Sequence, residues 1–597
     1  SKLWLKDLTK PAEPEVQLGV SEGGAFDVQW APDGLSFYFL SGRGENGTTQ
    51  VWKTDVGGEK AEQITRLTLD VGAYRVRPGG KGLVVSLAIF PECVGDAIAC
   101  TANKNAERAA SKASGMVYDK LFVRHWDTWA DGTRNHLYHI ALNGPLSQPV
   151  PLMPKFDGDV PSKPFGGTED FSISPDSKTV YFAARVAGKT EPWSTNFDIF
   201  SVPISGGAAT NLTEANTAWD ANPILSPDGK TLAYKAMKRA GFEADRFELK
   251  LRDLATGKVS TLAADWDRSV DGMQWSLDGK SMYVIAGDVG TTRLFKIDRS
   301  VDACIDLRCV TPLTTGGHFD AFHQTATGFV FMKSGLNGPS QIYAAAPKSK
   351  MIDEGAITLT NVNASLKNKK FGEFEQFNFK GWNDETVHGY VIKPSNYEEG
   401  KKYPVAFLIH GGPQGSFGDG WSFRWNPQTY AGAGYAVVMI DFHGSTGYGQ
   451  AFTDAISDHW GDRPLEDLQK GWAHVLKTYP FLDADRAGAL GASYGGFMVN
   501  WIAGNWKAPW KCLVTHNGVF DTRMMAYSTE ELWFSTWESG GADVYENPAK
   551  YDEFNPALHV KDWSVPTLVI HSDKDYRIPL DQGIGVFTAL QAKKIDS

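Results

Sequence analysis

The stretch Gly-Ala-Ser-Tyr-Gly-Gly, residues 491–496, has the plainest chemical content in this 597-residue sequence. It fits G-x-S-x-G, in which small neighbours let the chain bend sharply between a strand and a helix and leave the serine hydroxyl exposed at a sheet edge. The flanks agree, since "AGAL" before it reads as a strand and "FMVNWIAG" after it as a helix. Ser493 is therefore the candidate nucleophile. A serine hydroxyl needs a base, and the base needs an orienting acid. Asp575 follows the apolar run "TLVIHS" and comes after Ser493 in the chain, the order in which such folds place nucleophile and acid. Asp573 is its local rival, with a solvated turn as its ordinary role. Two backbone N–H groups are candidates to hold an oxyanion: that of Tyr494, directly after the nucleophile, and that of Gly412 in the early loop "HGGP". His410 in that loop reads as a structural hydrogen-bonder. His571 precedes the acid in the same turn, poorly placed to reach the serine.

These residues need a scaffold, and the sequence describes one. From about Gly372 onward, "YPVAFLIHGGPQG", "YAVVMIDFHGSTGYG", "RAGALGASYGGFM" and "PTLVIHSDKD" each set an apolar run before a glycine-rich or acidic turn. Helix-compatible stretches such as "RPLEDLQKGWAHVLKTY" lie between them. Strands buried on both faces that alternate with helices make a mainly parallel α/β sheet, and its ligands gather at the carboxyl ends of the strands. The candidate residues fall at those ends. Residues 372–597 are thus expected to form an α/β-hydrolase domain.

The preceding part repeats itself. Turns of Pro-Asp-Gly type followed by an apolar strand occur as "WAPDGLSFYFL", "ISPDSKTVYFA", "LSPDGKTLAYK" and "WSLDGKSMYVI", with "VRPGGKGLVVS" a degenerate copy. A second strand-like element recurs seven times, as "LWLKDL", "VWKTDV", "LYHIAL", "IFSVPI", "LKLRDL", "LFKIDR" and "IYAAAP". The repeat length suits one four-stranded blade each, so residues 1–350 are expected to form a seven-bladed β-propeller, with 351–371 as linker. "LWLKDL" reads as a late strand of a blade, so the sequence is expected to begin partway through one. The longest gap between copies, about 91–132, holds a polar, Ala-rich, helix-compatible insertion and then "YDKLFVRHWDTWADGTRNHLY". Its Arg124, His125, Trp126, Asp127 and Trp129 either approach a substrate held beneath the propeller or pack the insertion onto its own blade.

A hydrophobic share of 42%, 22% charged residues and a net charge of −11 describe a globular chain with no basic surface for nucleic acid. No apolar run reaches the length of a membrane span, and residues 1–20 lack the features of a signal peptide. Five cysteines stand as Cys93 and Cys100, Cys304 and Cys309, and a solitary Cys512 beside Leu513. Two local disulfides and a buried thiol would suit a periplasmic or secreted protein; free thiols in a cytoplasmic one are the alternative. The spacing does not suit a zinc site, and neither metal nor organic cofactor is expected.

The repeat followed by "HGGPQG", "GASYGGFM" and "HSDKDYRIP" closely resembles the prolyl oligopeptidase family of serine peptidases over nearly the whole length, and within it the acylaminoacyl-peptidase and dipeptidyl-peptidase 5 branch. The resemblance implies Ser493 as nucleophile, Asp575 as triad acid, and the Tyr494 and Gly412 N–H groups as oxyanion donors. It also implies that Arg577 binds a backbone carbonyl of the substrate. Segment 529–541, "TEELWFSTWESGG", stands where the family builds pocket walls. There Trp533, Phe534 and Trp537 either line an apolar pocket or pack in the core, and Glu530 or Glu531 either meets a free α-amino group or is solvated. The family's triad histidine lies beyond its acid by more residues than follow Asp575 here, and is expected past Ser597 after one more strand. The implied activity is release of dipeptides from short peptides, without nucleic-acid or membrane partners and with a homodimer as one oligomeric state. Removal of N-acylated residues, a non-catalytic propeller scaffold and a small-ester hydrolase are the other readings.

Overall fold

The computed structural model describes residues 1–142, 148–299, 307–346 and 350–597. Its first part is a series of four-stranded antiparallel sheets, each with strands in chain order: 26–63, 71–151, 171–211, 220–262, 272–312 and 318–358. The last two are joined by one parallel bridge between Thr292 and His318. The turns explain the repeat. In three of them Ser174, Ser226 and Ser276 donate their hydroxyls to Asp176, Asp228 and Asp278 at 2.6–2.7 Å, and each aspartate also accepts the backbone N–H of the lysine two residues on. Gly229 and Gly279 there hold φ near +70°, a region glycine enters without steric penalty.

Seven such units are expected from the sequence, and six four-stranded ones are present among the described residues. The first copy, around "LWLKDL", is a two-stranded ribbon of Trp4–Leu5 and Val16–Gln17. It packs through Leu3, Leu18 and Val20 onto Phe37 and Phe39 of the next sheet. Ile357–Thr358, within the segment expected as linker, pairs with Gly338–Ala345 as the fourth strand of the last sheet. The insertion leaves between Gly82–Ile89 and Arg134–Ala141, which pair directly across its base. It contains the helix Ala97–Ala110 and a hairpin of Arg124–His125 with Thr128–Trp129.

The cysteines divide as follows. Cys93 and Cys100 form a disulfide at the root of the insertion. Cys309 is disulfide-bonded, and Cys304 lies outside the described residues. Cys512 corrects the expectation of a buried thiol: it is exposed, because successive strand residues point to opposite faces and Leu513 takes the core side.

The second part is a seven-stranded sheet in the order Phe374–Lys380, Thr386–Ile392, Ala436–Asp441, Tyr403–Ile409, Leu482–Ala492, Trp510–His516, Thr567–Ile570. The first two strands run antiparallel and the last five are parallel, paired from Ala436–Asp441 to Thr567–Ile570. Val405, Phe407 and Val438 are fully buried, as strands covered on both faces require. The helices Arg463–Thr478 and Tyr494–Asn505 supply Leu468, Val475, Phe497 and Ile502 to the same core. No helix among the described residues is long and apolar enough to cross a membrane.

Candidate active site

Ser493 stands between the strand Leu482–Ala492 and the helix Tyr494–Asn505 with φ 58° and ψ −122°. A non-glycine residue holds such a conformation only where its surroundings impose it. Here they do. The Ser493 N–H donates to the His516 carbonyl at 3.0 Å. A Cβ on Gly495 would meet the Ile409 carbonyl oxygen at 2.2 Å, and one on Gly496 the Gly518 Cα at 2.6 Å. The glycines after the serine therefore let the helix start press against two neighbouring strand ends.

The "HGGP" loop follows the adjacent strand. An added Cβ on Gly411 would lie 3.2 Å from the Cβ of Ser493, so this loop touches the nucleophile turn. Gly412 follows at φ +135°. Tyr494 is the first residue of its helix, where the N–H has no intrahelical acceptor. Its ring is buried against Phe442, Trp460 and Phe497, and its hydroxyl donates to the Trp460 carbonyl at 2.7 Å. His410 is buried between the Gly411 carbonyl and the Ser445 hydroxyl, 2.8 and 2.9 Å away, and burial holds its pKa below the usual imidazole range.

At the end of the last described strand, Asp575 Oδ1 accepts the backbone N–H groups of Arg577 and Ile578 at 3.1 and 2.9 Å, while Oδ2 accepts the Asn517 amide. Asp573 is exposed. Asn517 also accepts the Ser572 N–H, tying the acid turn to the strand end beside Ser493. His571 bonds to the Ile578 carbonyl at 2.8 Å within the same turn.

A cavity of about 290 Å³ opens in front of Ser493, between the two halves of the chain. Tyr494, Gly412, Phe534, Trp537, Glu531 and Arg577 line it, together with Phe242 and Glu243 from the sheet half. Phe242 stacks on Trp537 at 4.7 Å. Arg577 donates from Nε to Glu530 Oε1 at 2.8 Å and reaches Glu531 Oε1 at 3.1 Å. Glu531 is almost wholly buried; burial, and then the facing Glu243, drive its pKa well above the ordinary carboxyl range. Burial likewise raises Glu530, against the opposing effect of Arg577. Trp533 lies elsewhere, in an adjoining cavity, packed on Phe122 and His125.

Several residues at the site carry no motif in the sequence. Glu538 accepts from Gln414 and Trp460, both at 2.8 Å, and complete burial pushes its pKa up to about 7. It thereby links the "HGGPQG" loop to the Trp460 wall. Asn517 and Glu243 are likewise silent in the sequence; only the adjacency of Gln414 to "HGGP" hints at this network.

A serine on a forced turn, two backbone N–H groups beside it and an anchored acid suit acyl transfer. Comparison with known proteins agrees. Residues 421–597 match the prolyl oligopeptidase family. Dipeptidyl-peptidase 5 of Aspergillus fumigatus is 33% identical over 97% of this chain and 82% of its own length. The chain belongs to the prolyl oligopeptidase family. It is therefore a serine peptidase. A second family member, dipeptidyl-peptidase 5 of Schizosaccharomyces pombe, is 35% identical over 81% of this chain and 70% of its own. In fold the chain matches an acylaminoacyl peptidase in complex with Z-Gly-Gly-Phe-chloromethyl ketone at a TM-score of 0.78 and 20% identity, covering all of this chain and 87% of that one. Pyrococcus horikoshii acylaminoacyl peptidase gives 0.76 at 21%, covering all of this chain and 88% of that one.

Proposed function

We propose that the protein releases dipeptides from the free N-termini of short peptides. The observation that carries this reading is the Glu531–Glu243 carboxyl pair, which shares one cavity with Ser493. Burial and the facing Glu243 favour the protonated form of Glu531. An α-ammonium entering the cavity favours its ionised form instead and displaces that proton. With the amine fixed there, the chain reaches Ser493 after a set number of residues, and the names of the relatives support two.

In this reading Ser493 attacks the scissile carbonyl, and its proton passes to a general-base imidazole oriented by Asp575. The Tyr494 and Gly412 N–H groups take up the oxyanion charge. The imidazole returns the proton to the leaving amine, and water then hydrolyses the dipeptidyl ester. Arg577 holds a substrate backbone carbonyl. Removal of N-acylated residues is the second reading, and the stacked Phe242–Trp537 pair favours it, because an acyl group would lie against that apolar face. We further propose that the ribbon Trp4–Leu5 with Val16–Gln17 is the outer part of a seventh blade. The Cys93–Cys100 disulfide supports an oxidising compartment, periplasmic or extracellular.

The test is to treat the intact protein with a fluorophosphonate and with an unmodified peptide of about ten residues. An adduct on Ser493 and stepwise loss of N-terminal dipeptides are expected. No adduct on Ser493 would sink the enzyme reading, and release of single acylated residues alone would favour the second.

A further inference from the structure

The hairpin Arg124–His125 with Thr128–Trp129 belongs to the sheet half, yet it makes polar contacts with the other half, at the acid turn, at Ser528 and at Glu530. The Trp126 carbonyl accepts the Tyr576 N–H at 3.0 Å. Trp129 Nε1 donates to the Tyr576 hydroxyl at 2.8 Å, and Arg124 donates to the Ser528 carbonyl at 2.7 Å while its guanidinium lies 4.7 Å over the Tyr576 ring. Between these contacts the Trp126 indole lies 4.9 Å from the Arg577 guanidinium. Trp126 itself has φ +59°, a conformation that a bulky residue keeps only when its neighbours fix it.

The acid does not depend on this hairpin. Asp575 is held from within its own half, by Asn517 and two backbone N–H groups. Arg577 is different. Glu530 and Glu531 engage its Nε and a terminal nitrogen, and neither carboxylate covers its flat face. An aromatic ring beside the guanidinium adds the restraint the carboxylates lack, because guanidinium groups stack on aromatic faces. That ring comes from the insertion.

We propose that Trp126 is a positioning residue for Arg577, so that grip on the substrate backbone depends on an element of the opposite half. This rests on the reading of Arg577 as the group that binds a substrate carbonyl. It also chooses between the two sequence readings of the insertion: the hairpin faces the site, and it acts through Arg577.

A double-mutant cycle in the intact protein tests the inference. Trp126→Ala, Trp126→Phe, Arg577→Ala and the double variant Trp126→Ala with Arg577→Ala are compared on a chromogenic dipeptide substrate. Labelling of Ser493 by a small fluorophosphonate, which has no peptide carbonyl to bind, is followed in parallel. Trp126→Ala is expected to raise KM about tenfold with kcat within about twofold, the size of a partly desolvated cation–π contact. Trp126→Phe should restore most of the loss, because a ring remains. In the Arg577→Ala background the Trp126→Ala change should add less than about twofold, and labelling should hold in every variant. Equal losses in both backgrounds, no rescue by phenylalanine, or slowed labelling would each overturn the proposal in favour of a general structural role. Absence of labelling in the unsubstituted protein would instead overturn the serine hydrolase reading on which the proposal is built.

Discussion

Glu531→Gln puts the amine-anchor reading to its sharpest test, since it removes a charge and keeps the shape. The Glu531 carboxyl lies 3.1 Å from Arg577 and against Glu243, nearly sealed from solvent. An ammonium at about 3–4 Å from such a carboxylate gains roughly 4–5 kcal/mol at an effective dielectric near 20. Desolvation of the ammonium takes back part of this, and coupling energies of close charge pairs span about 1.5–7 kcal/mol. A net loss of about 2–3 kcal/mol follows, or roughly 30- to 150-fold in kcat/KM. The glutamine amide can still donate to Glu243, so the fold should stand. The assay compares one chromogenic dipeptide with its N-acetylated form. The free-amine substrate should lose that factor and the acetylated one almost nothing. A pH signature accompanies it: Glu531, whose pKa burial raises, gives up its proton when the ammonium binds, so preference for the free amine should rise as pH climbs through that ionisation, and Glu531→Gln should flatten the rise. Equal losses on both substrates would refute the reasoning and leave Glu531 as a brace for Arg577.

Glu538 ties stability to pH. Its folded pKa of about 7 lies above the value of an unfolded chain, so the folded state holds the proton more tightly. The group's contribution is therefore most favourable at low pH and falls by about 3 kcal/mol as pH rises from roughly 4.5 to 7. Urea midpoints at pH 5 and pH 8 should show Glu538→Gln gaining on the unsubstituted protein at the higher pH; parallel shifts would contradict the assignment. Asn517→Ala removes the side-chain donor to Asp575 and should lower kcat about tenfold with little change in Tm, as loss of a hydrogen bond to a charged group implies. An unchanged kcat would show that the two backbone N–H groups suffice. Replacing Cys93 and Cys100 by serine releases the short loop at the root of the insertion, worth about 2–3 kcal/mol on the chain-entropy account. Faster proteolysis within 97–110 is expected, and identical cleavage rates would argue that helix packing alone holds the segment.

Much of this site is legible in the sequence. Ser493, Tyr494, Gly412, Asp575 and Arg577 sit in short contiguous motifs because a strand, a tight turn and a helix start are local events, each specified by adjacent residues. The same holds for the Ser-x-Asp-x-Lys and Asp-Gly turns that announce the blades. Trp533 and Phe534 show the limit. They are consecutive, yet one faces the Ser493 cavity and the other an adjoining one, and helical position alone could not assign them. Cys512 shows the same limit on a strand, where the apolar residue beside it takes the inward face.

What the sequence determined by itself is the chemistry: a serine nucleophile on a forced turn, an acid at the end of a later strand, and a repeat that makes four-stranded sheets. Tertiary structure alone decided which groups surround that chemistry. Glu243 meets Glu531, Trp126 meets Arg577 and Glu538 meets Gln414 across long stretches of chain. None of these pairs has a local cause. A hydrogen bond or ring contact between distant residues depends on how the two halves pack, and packing is set by the summed shape of many buried side chains rather than by any motif. That the first copy is a two-stranded ribbon is of the same kind, since a four-stranded sheet needs partner strands and not only a strand-forming sequence.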